Sequence, residues 1–208
     1  MVVMERKVLG RSRVGIAGVG GLGSHVAVAL VRAGVGGLVL ADFDSVEESN
    51  LERQCYFRDQ VGRFKVEALS ETLVRINPVV EIRCFPVRVT ADNLVELFDG
   101  VDVMVEAFDR ADQKSLLVST FRRRFPAIPL VAASGVAGIG PANRIITRRA
   151  VENLYICGDG KSGVGAHTPL QAPRVGIVAH HQALAVLRLL HGLDPCDADN
   201  GDGCAIEN

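Results

Sequence analysis

The stretch "RVGIAGVGGLGSHVAVALVRAG", residues 13–34, constrains the possible folds of this chain more than any other. Val14 and Ile16 supply a short apolar strand, and glycines at 18, 20 and 23 follow in G-x-G-x-x-G spacing. A helix then runs from about Leu22 to Ala33 and stops at Gly34, as a C-terminal glycine should. A strand entering a helix through such glycines brings bare backbone and free N–H groups to one point, which suits a phosphate. "GLVLADFD" is a second buried strand, so the unit reads as βαβ with parallel strands. A purely structural tight turn is the competing reading, and the glycines alone do not separate NAD from ATP.

The rest of the chain repeats the alternation. A helix is predicted over about 63–76, where Val66, Leu69, Leu73 and Ile76 recur at helical spacing and place Lys65 near the helix start. "NPVVEIRCFPV" reads as turn and strand, "TADNLVELFDG" as a capped helix, and "VDVMVEAFD" as a fourth strand. "ADQKSLLVSTFRRRF" is a helix, followed by strands at "IPLVAAS" and "ANRIITR". A glycine-rich loop of about 20 residues, "YICGDGKSGVGAHTPLQAP", precedes a last apolar helix over about 174–191. The fold class expected is therefore α/β: a doubly wound, mainly parallel sheet of Rossmann type, with ligands at the carboxyl ends of the strands. The organisation expected is one domain over 1–193 and a polar, mobile tail over 194–208.

Composition excludes several function classes. With 48% apolar residues, 23% charged residues and a net charge of −1, the 208-residue chain has no global pull toward nucleic acid or an acidic membrane. No apolar run approaches the ~18 residues of a membrane span, and the N-terminus reads as no signal peptide. Five cysteines at irregular spacing suggest free thiols in the cytoplasm, not a disulfide framework.

The polar stretch after the second strand is what a dinucleotide site has no use for. Asp42 ends that strand, where a carboxylate accepts ribose hydroxyls. Asp44, Asn50, Arg53 and Gln54 crowd in behind it, and Lys65 follows. Arginine and lysine on one rim suit a triphosphate and the charge that develops as a phosphoryl centre reacts. Asparagine and glutamine can orient phosphate oxygens or an incoming carboxylate. Taken singly, each also suits a solvated loop. Asp109, after the fourth strand in "EAFDR", suits a hard cation or a helix cap.

The order of these residues resembles a known family. "GxGGLGS", then "ADFDxVxxSNLxRQ", then a helix-borne lysine is similar to the ThiF/MoeB sulfur-carrier-protein adenylyltransferases, relatives of ubiquitin-activating enzymes. The likeness runs from about residue 13 to 192 and includes "PRVGIVAHHQALAVLRLLHG". It implies that ATP binds at Gly18, Gly20, Gly21, Gly23 and Asp44, with Asp42 holding the ribose. Asn50, Arg53 and Lys65 would hold the phosphates, Gln54 would line the same site, and Asp109 would hold Mg²⁺. It further implies attack by the C-terminal glycine carboxylate of a small β-grasp carrier on the α-phosphate, with Arg53, Lys65 and Asp109 as catalytic residues. The compact, ThiS-activating form of thiamine biosynthesis is the nearest in look. Molybdopterin and tRNA-modifying relatives share the ATP motif. A nicotinamide-dependent oxidoreductase and a catalytically silent binding subunit stay open as alternatives from other classes.

Larger members carry two C-x-x-C pairs for zinc; this chain has none, so no zinc is expected. Cys157 falls near where some relatives keep a cysteine that links to the carrier, and it counts as a candidate catalytic thiol. Arg6 and Arg11 are candidates for a contact with the partner subunit's phosphates in a homodimer. His180 and His181 read as packing or surface residues, "RRRF" at 122–125 as a helix end, and the calcium-like "DADNGDG" as no EF-hand.

Overall fold

The computed structural model describes residues 7–165 and 168–196. Seven strands form one sheet: β1 (Arg13–Ala17), β2 (Gly37–Ala41), β3 (Glu81–Phe85), β4 (Val103–Glu106), β5 (Leu130–Ala133), β6 (Ile146–Val151) and β7 (Leu154–Gly158). Their order across the sheet is β3-β2-β1-β4-β5-β7-β6, and every pairing is parallel except β6 with β7. The helices are α1 (Gly21–Ala33), α2 (Lys65–Ile76), α3 (Leu94–Leu97), α4 (Ala111–Arg124) and α5 (Ala172–Leu190). The chain order of the strands therefore reverses beside β1, which opens a crevice there at the carboxyl ends.

Strand alternation builds two cores. Val14, Ile16, Leu38, Leu40, Val103 and Val105 face α1, α2 and α5, while Ala17, Val39, Ala41, Met104 and Leu130 face α3 and α4. Both faces are covered, which is why β2, β4 and β5 read as unbroken apolar runs with every residue buried. In α2, the buried Val66, Leu69 and Leu73 form the helical stripe expected from their spacing, and Lys65 is the first helical residue. The basic cluster Arg122, Arg123 and Arg124 occupies the last turn of α4, where the helix dipole favours cations. Among the described residues, no helix is long and apolar enough to cross a membrane.

Two features differ from the sequence expectation. First, "ANRIITR" opens a hairpin: β6 turns back through Glu152 and Asn153 into β7, with Asn153 at φ 56, a left-handed backbone that asparagine tolerates. The glycine-rich loop is correspondingly shorter, because residues 154–158 belong to a strand. Second, the expected tail starts as a strap. Arg188 Nε donates to the Asp194 carbonyl at 2.9 Å, Asp194 pairs with Arg149, and the Cys196 thiol lies 3.7 Å from the Thr147 carbonyl oxygen. Residues 197–208, with "DADNGDG" and Cys204 in them, lie outside the described residues, as does Arg6.

Candidate functional site

At the end of β1 the chain enters the glycine turn. Gly18 has φ 84, and a Cβ there would stand 2.9 Å from the Ala107 carbonyl oxygen at the end of β4. A Cβ on Gly23 would stand 1.9 Å from the Gly18 carbonyl oxygen, so this glycine lets helix and turn close on each other. Gly20 caps α1 without a side-chain bond, and no acidic residue stands in the first turn. The positive end of a 13-residue helix thus faces the crevice.

Asp42 follows β2 and fastens this turn. Its Oδ2 accepts the Val19 N–H at 2.8 Å and its Oδ1 accepts the Asp44 N–H at 2.9 Å. Each oxygen keeps a lone pair for another donor. Burial pushes the Asp42 carboxyl above its usual range, opposed by these two N–H groups and by Lys65. Tyr56, buried behind the turn, donates to the Val19 carbonyl at 2.7 Å and has its own phenol pushed up by burial. Lys65 is buried and donates from Nζ to Asp44 Oδ2 at 2.9 Å, while its N–H bonds the Asp44 carbonyl. Arg53 is held by the Ser49 carbonyl at 2.9 Å and by Glu52 at 2.7 Å.

These groups surround a cleft of about 310 Å³ lined by Gly18, Gly20, Gly21, Asp42, Asp44, Arg53, Gln54, Lys65 and Asp109. Gln54 carries a buried Oε1 with no hydrogen-bond partner, an unmet need that a donor entering the cleft would satisfy. Asp109 is exposed in the β4–α4 turn, and among the described residues no hydrogen bond or ion pair holds its carboxylate. A second, mostly apolar cleft of about 230 Å³ shares Gly21, Ala107, Phe108, Asp109 and Leu170 with the first. Its lining mixes small residues, among them Ala133, Gly135, Ala137 and Gly163, with Leu22, Val136, Val164 and Val175, and includes Lys114. Asp109 stands where the two clefts meet.

Not every expected residue arrives there. Asn50 is buried but stays off the cleft wall, its Oδ1 accepting the Glu47 N–H at 3.2 Å to close a 3₁₀ turn. Gly23 is also absent from the lining and serves packing. Cys157 departs furthest from expectation. It lies on β7, not in the loop, is fully buried, and lines neither cleft. Burial pushes its thiol up to about 11, so it is a protonated core residue and not a ready nucleophile. His181 Nδ1 and Cys157 Sγ both contact the Thr147 hydroxyl, at 3.1 and 3.5 Å, so His181 serves packing. Arg11 is exposed at the opposite end of the sheet, beside Arg13 and Gly36.

The sequence reading missed one wall altogether. Arg88 lies over the Phe43 ring at 3.9 Å, and both line the nucleotide-sized cleft with Val87 and Val89. The signal was present: "PVRVT" follows β3, and its carboxyl end opens on the same edge as those of β1, β2 and β4. Gln113 on α4 and Arg110 at its N-cap complete the rim.

Comparison with known proteins agrees with this geometry. The molybdopterin-synthase adenylyltransferase of Escherichia coli is 34% identical over 189 residues, covering 87% of this chain and 74% of that protein. The sulfur carrier protein ThiS adenylyltransferase of E. coli is 31% identical over 189 residues, covering 88% and 74%. The crystal structure of E. coli tRNA threonylcarbamoyladenosine dehydratase in complex with ATP shares the fold, with a TM-score of 0.81, 22% identity, and coverage of 91% of this chain and 89% of that one. The ThiF family model matches residues 3–201, almost the whole sequence, and the chain belongs to that family.

Proposed function

We propose that this ThiF-family adenylyltransferase uses ATP to adenylylate the C-terminal glycine carboxylate of a small β-grasp sulfur carrier of the ThiS kind, in the making of the thiamine thiazole. The observation that carries this reading is the junction of two clefts at Asp109. One is nucleotide-sized and lined by Arg53, Lys65 and a pre-set Asp42; the other is mostly apolar, with Gly135, Ala137 and Gly163 among its lining. An extended diglycine tail, with no side chains of its own, suits such a cleft, and its carboxylate would reach the phosphates where the clefts join.

In this reading the sugar of ATP rests on the free lone pairs of Asp42. The phosphates lie along Gly20, Gly21 and the start of α1. Arg53 and Lys65 neutralise charge, and the unpartnered Gln54 Oε1 accepts a hydrogen bond from a hydroxyl or amine of the nucleotide. Phe43 and Arg88 offer the base a flat face. The carrier carboxylate attacks the α-phosphorus and the bond to the bridging oxygen breaks, which leaves an acyl adenylate and pyrophosphate. No side-chain base is required, because the attacking carboxylate is already ionised at neutral pH. The demand on the protein is to hold two anions together and in line. Mg²⁺ fits the donor set, since Asp109 offers an exposed carboxylate beside the phosphate cleft that no hydrogen bond holds among the described residues. When bound there it would screen the phosphate charge.

A homodimer fits an exposed apolar hollow formed by His25, Ile177 and Leu184, and a cytoplasmic location fits the free thiols. A second reading, a carrier of molybdopterin synthesis, is favoured by the 34% identity to the enzyme of that pathway. ATP–pyrophosphate exchange with each purified carrier tests both. Exchange with a ThiS-type carrier supports the first reading, and exchange only with the molybdopterin carrier supports the second. NADH binding without exchange would return the site to the oxidoreductases. Asp109→Ala is expected to abolish exchange with the fold intact, and normal turnover would overturn the metal assignment.

A further inference from the structure

The end of β4 carries an ion pair, with its carboxylate buried and its ammonium half-buried, that the adenylylation chemistry does not itself require. Glu106, the last residue of β4, is 1% exposed, and Lys114 Nζ donates to its two oxygens at 3.0 and 2.9 Å. Glu106 Oε1 also accepts the Phe108 N–H at 2.7 Å, and the Glu106 carbonyl accepts Gln182 Nε2 at 3.0 Å. The same ammonium reaches the Ala133 carbonyl at 3.3 Å, at the end of β5. One carboxylate therefore joins the turn that bears Asp109, the body of α4, and the start of the wall of the apolar cleft.

The Ala107 N–H ties the head of that turn to the Ala17 carbonyl at 2.9 Å, and Phe108 packs on the core. Arg110, the N-cap of α4, makes no side-chain capping bond, and among the described residues Glu106 is the side chain that bonds the Phe108 backbone. Simple stabilisation does not account for the pair. Burial pushes the Glu106 carboxyl upward against the pull of Lys114, so ionising it inside the protein is costly, and buried pairs of this kind are commonly replaced by apolar residues without loss of stability. A charged pair kept at such a cost is suited to fixing geometry, because it binds only in a narrow range of distances and angles.

We propose that Glu106 and Lys114 are positioning residues that fix Asp109 at the junction of the two clefts, and so set the alignment of the phosphate chain with the incoming carboxylate. This rests on the adenylyltransferase reading of the site. Neither residue lines the nucleotide cleft; Glu106 acts through the 107–109 turn, and Lys114, whose side chain also reaches the wall of the apolar cleft, acts by holding Glu106.

The test uses the full chain with its carrier and compares Lys114→Met, Lys114→Arg and the double variant Glu106→Gln/Lys114→Met. Removing both charges together leaves no buried ion unpaired, so the double variant keeps the wild-type urea midpoint. Its kcat for pyrophosphate exchange falls about 10–100-fold, the cost of a small misplacement, while KM for ATP and KM for the carrier each stay within about twofold. A KM for the carrier raised about tenfold or more with kcat unchanged would make Lys114 a direct contact of the tail and overturn the positioning role. Hydrogen exchange across residues 107–110 becomes faster. Lys114→Met shows the same kcat loss, and Lys114→Arg, which keeps the charge and the donors, recovers most of it. A double variant with a wild-type midpoint, wild-type kcat and unchanged hydrogen exchange overturns the proposal. If the double variant does not fold, Lys114→Met is read below its own unfolding midpoint by the same two criteria. Asp109→Ala separates the two levels. If it is inactive while the double variant is fully active, only the positioning role falls; if it is fully active, the reading beneath it falls too.

Discussion

The Asp42 carboxylate accepts the Val19 N–H at 2.8 Å across 23 residues of sequence, so the residue assigned to the sugar also ties the glycine turn to β2. Two functions then share one side chain. Asp42→Ala would orphan two backbone N–H groups, at about 1–3 kcal/mol each, and remove the sugar contact. The expected result is a lowered melting temperature together with ATP affinity reduced about 10–100-fold by calorimetry. Asp42→Asn, which keeps one good acceptor, should recover most of the stability and little of the affinity. Unchanged ATP binding in both variants would show that the sugar rests elsewhere.

Lys65 and Asp44 bond at 2.9 Å, and only the lysine is buried. If the ammonium serves the phosphates and Asp44 merely orients it, Lys65→Met lowers exchange about 10²-fold. Asp44→Asn, by contrast, lowers it only about two- to fivefold, since an exposed partner contributes little to holding a cation. Pyrophosphate exchange at saturating ATP measures both. Equal losses would make Asp44 a direct participant.

Gly20 and Gly23 separate binding from folding. A methyl at Gly23 would lie 1.9 Å from the Gly18 carbonyl oxygen, which the backbone can relieve only by moving. Gly23→Ala is therefore expected to destabilise the fold by about 1–3 kcal/mol. At Gly20 the nearest atom is Gln54 Nε2 at 3.7 Å, an ordinary contact on the cleft wall. Gly20→Ala should leave the denaturation midpoint near wild type and weaken ATP binding. A Gly23→Ala protein of wild-type stability would contradict the tight packing of turn on helix.

The thiols should differ in reactivity. Cys157 is buried, with its thiol raised to about 11, whereas Cys196 is exposed. In the native protein at pH 8, iodoacetamide followed by peptide mass spectrometry is expected to label Cys196 within minutes and Cys157 only on unfolding. Cys157→Ser should retain exchange activity. Loss of exchange in a folded Cys157→Ser protein would restore the residue to the reaction.

Asp159 ties the loop of the second cleft to α5 through Arg174, at 2.6 Å. Burial raises its carboxyl, but the N–H groups of Ser162 and Lys161, the Ser162 hydroxyl and Arg174 outweigh it and hold the group at about 2. A depressed carboxylate contributes stability above its unfolded value near 3.8 and loses that contribution as pH falls toward about 2. Asp159→Asn should thus cost about 2–3 kcal/mol at pH 7, most of it from leaving the buried Arg174 unpaired, after allowance for solvent screening. The gap from wild type in urea unfolding should close between pH 4 and about 2. A gap that stays constant down to that pH would place the stabilisation elsewhere.

Much of this was legible in the chain itself. Apolar runs at 14–16, 38–41 and 103–105, each followed by turn residues and a helical stripe, leave a parallel sheet as the arrangement that buries both faces. Because every crossover then puts its turn on the same edge, Gly18, Asp42 and Asp109 had to share that edge whatever the details. Local pattern and chain direction determined their company.

What pattern could not decide was contact between residues distant in sequence. Cys157 sits among glycines that read as a loop, yet the hairpin through Asn153 makes it a strand residue, because pairing with β5 satisfies its backbone where a loop would not. Asn50 carries the right side chain in the right motif and spends it on its own turn. Arg88 met Phe43, and Glu106 met Lys114 and Gln182, only once the sheet had brought their elements together. Spacing along the chain sets which residues share an edge; burial and hydrogen-bond demand in three dimensions decide which of them face the cleft.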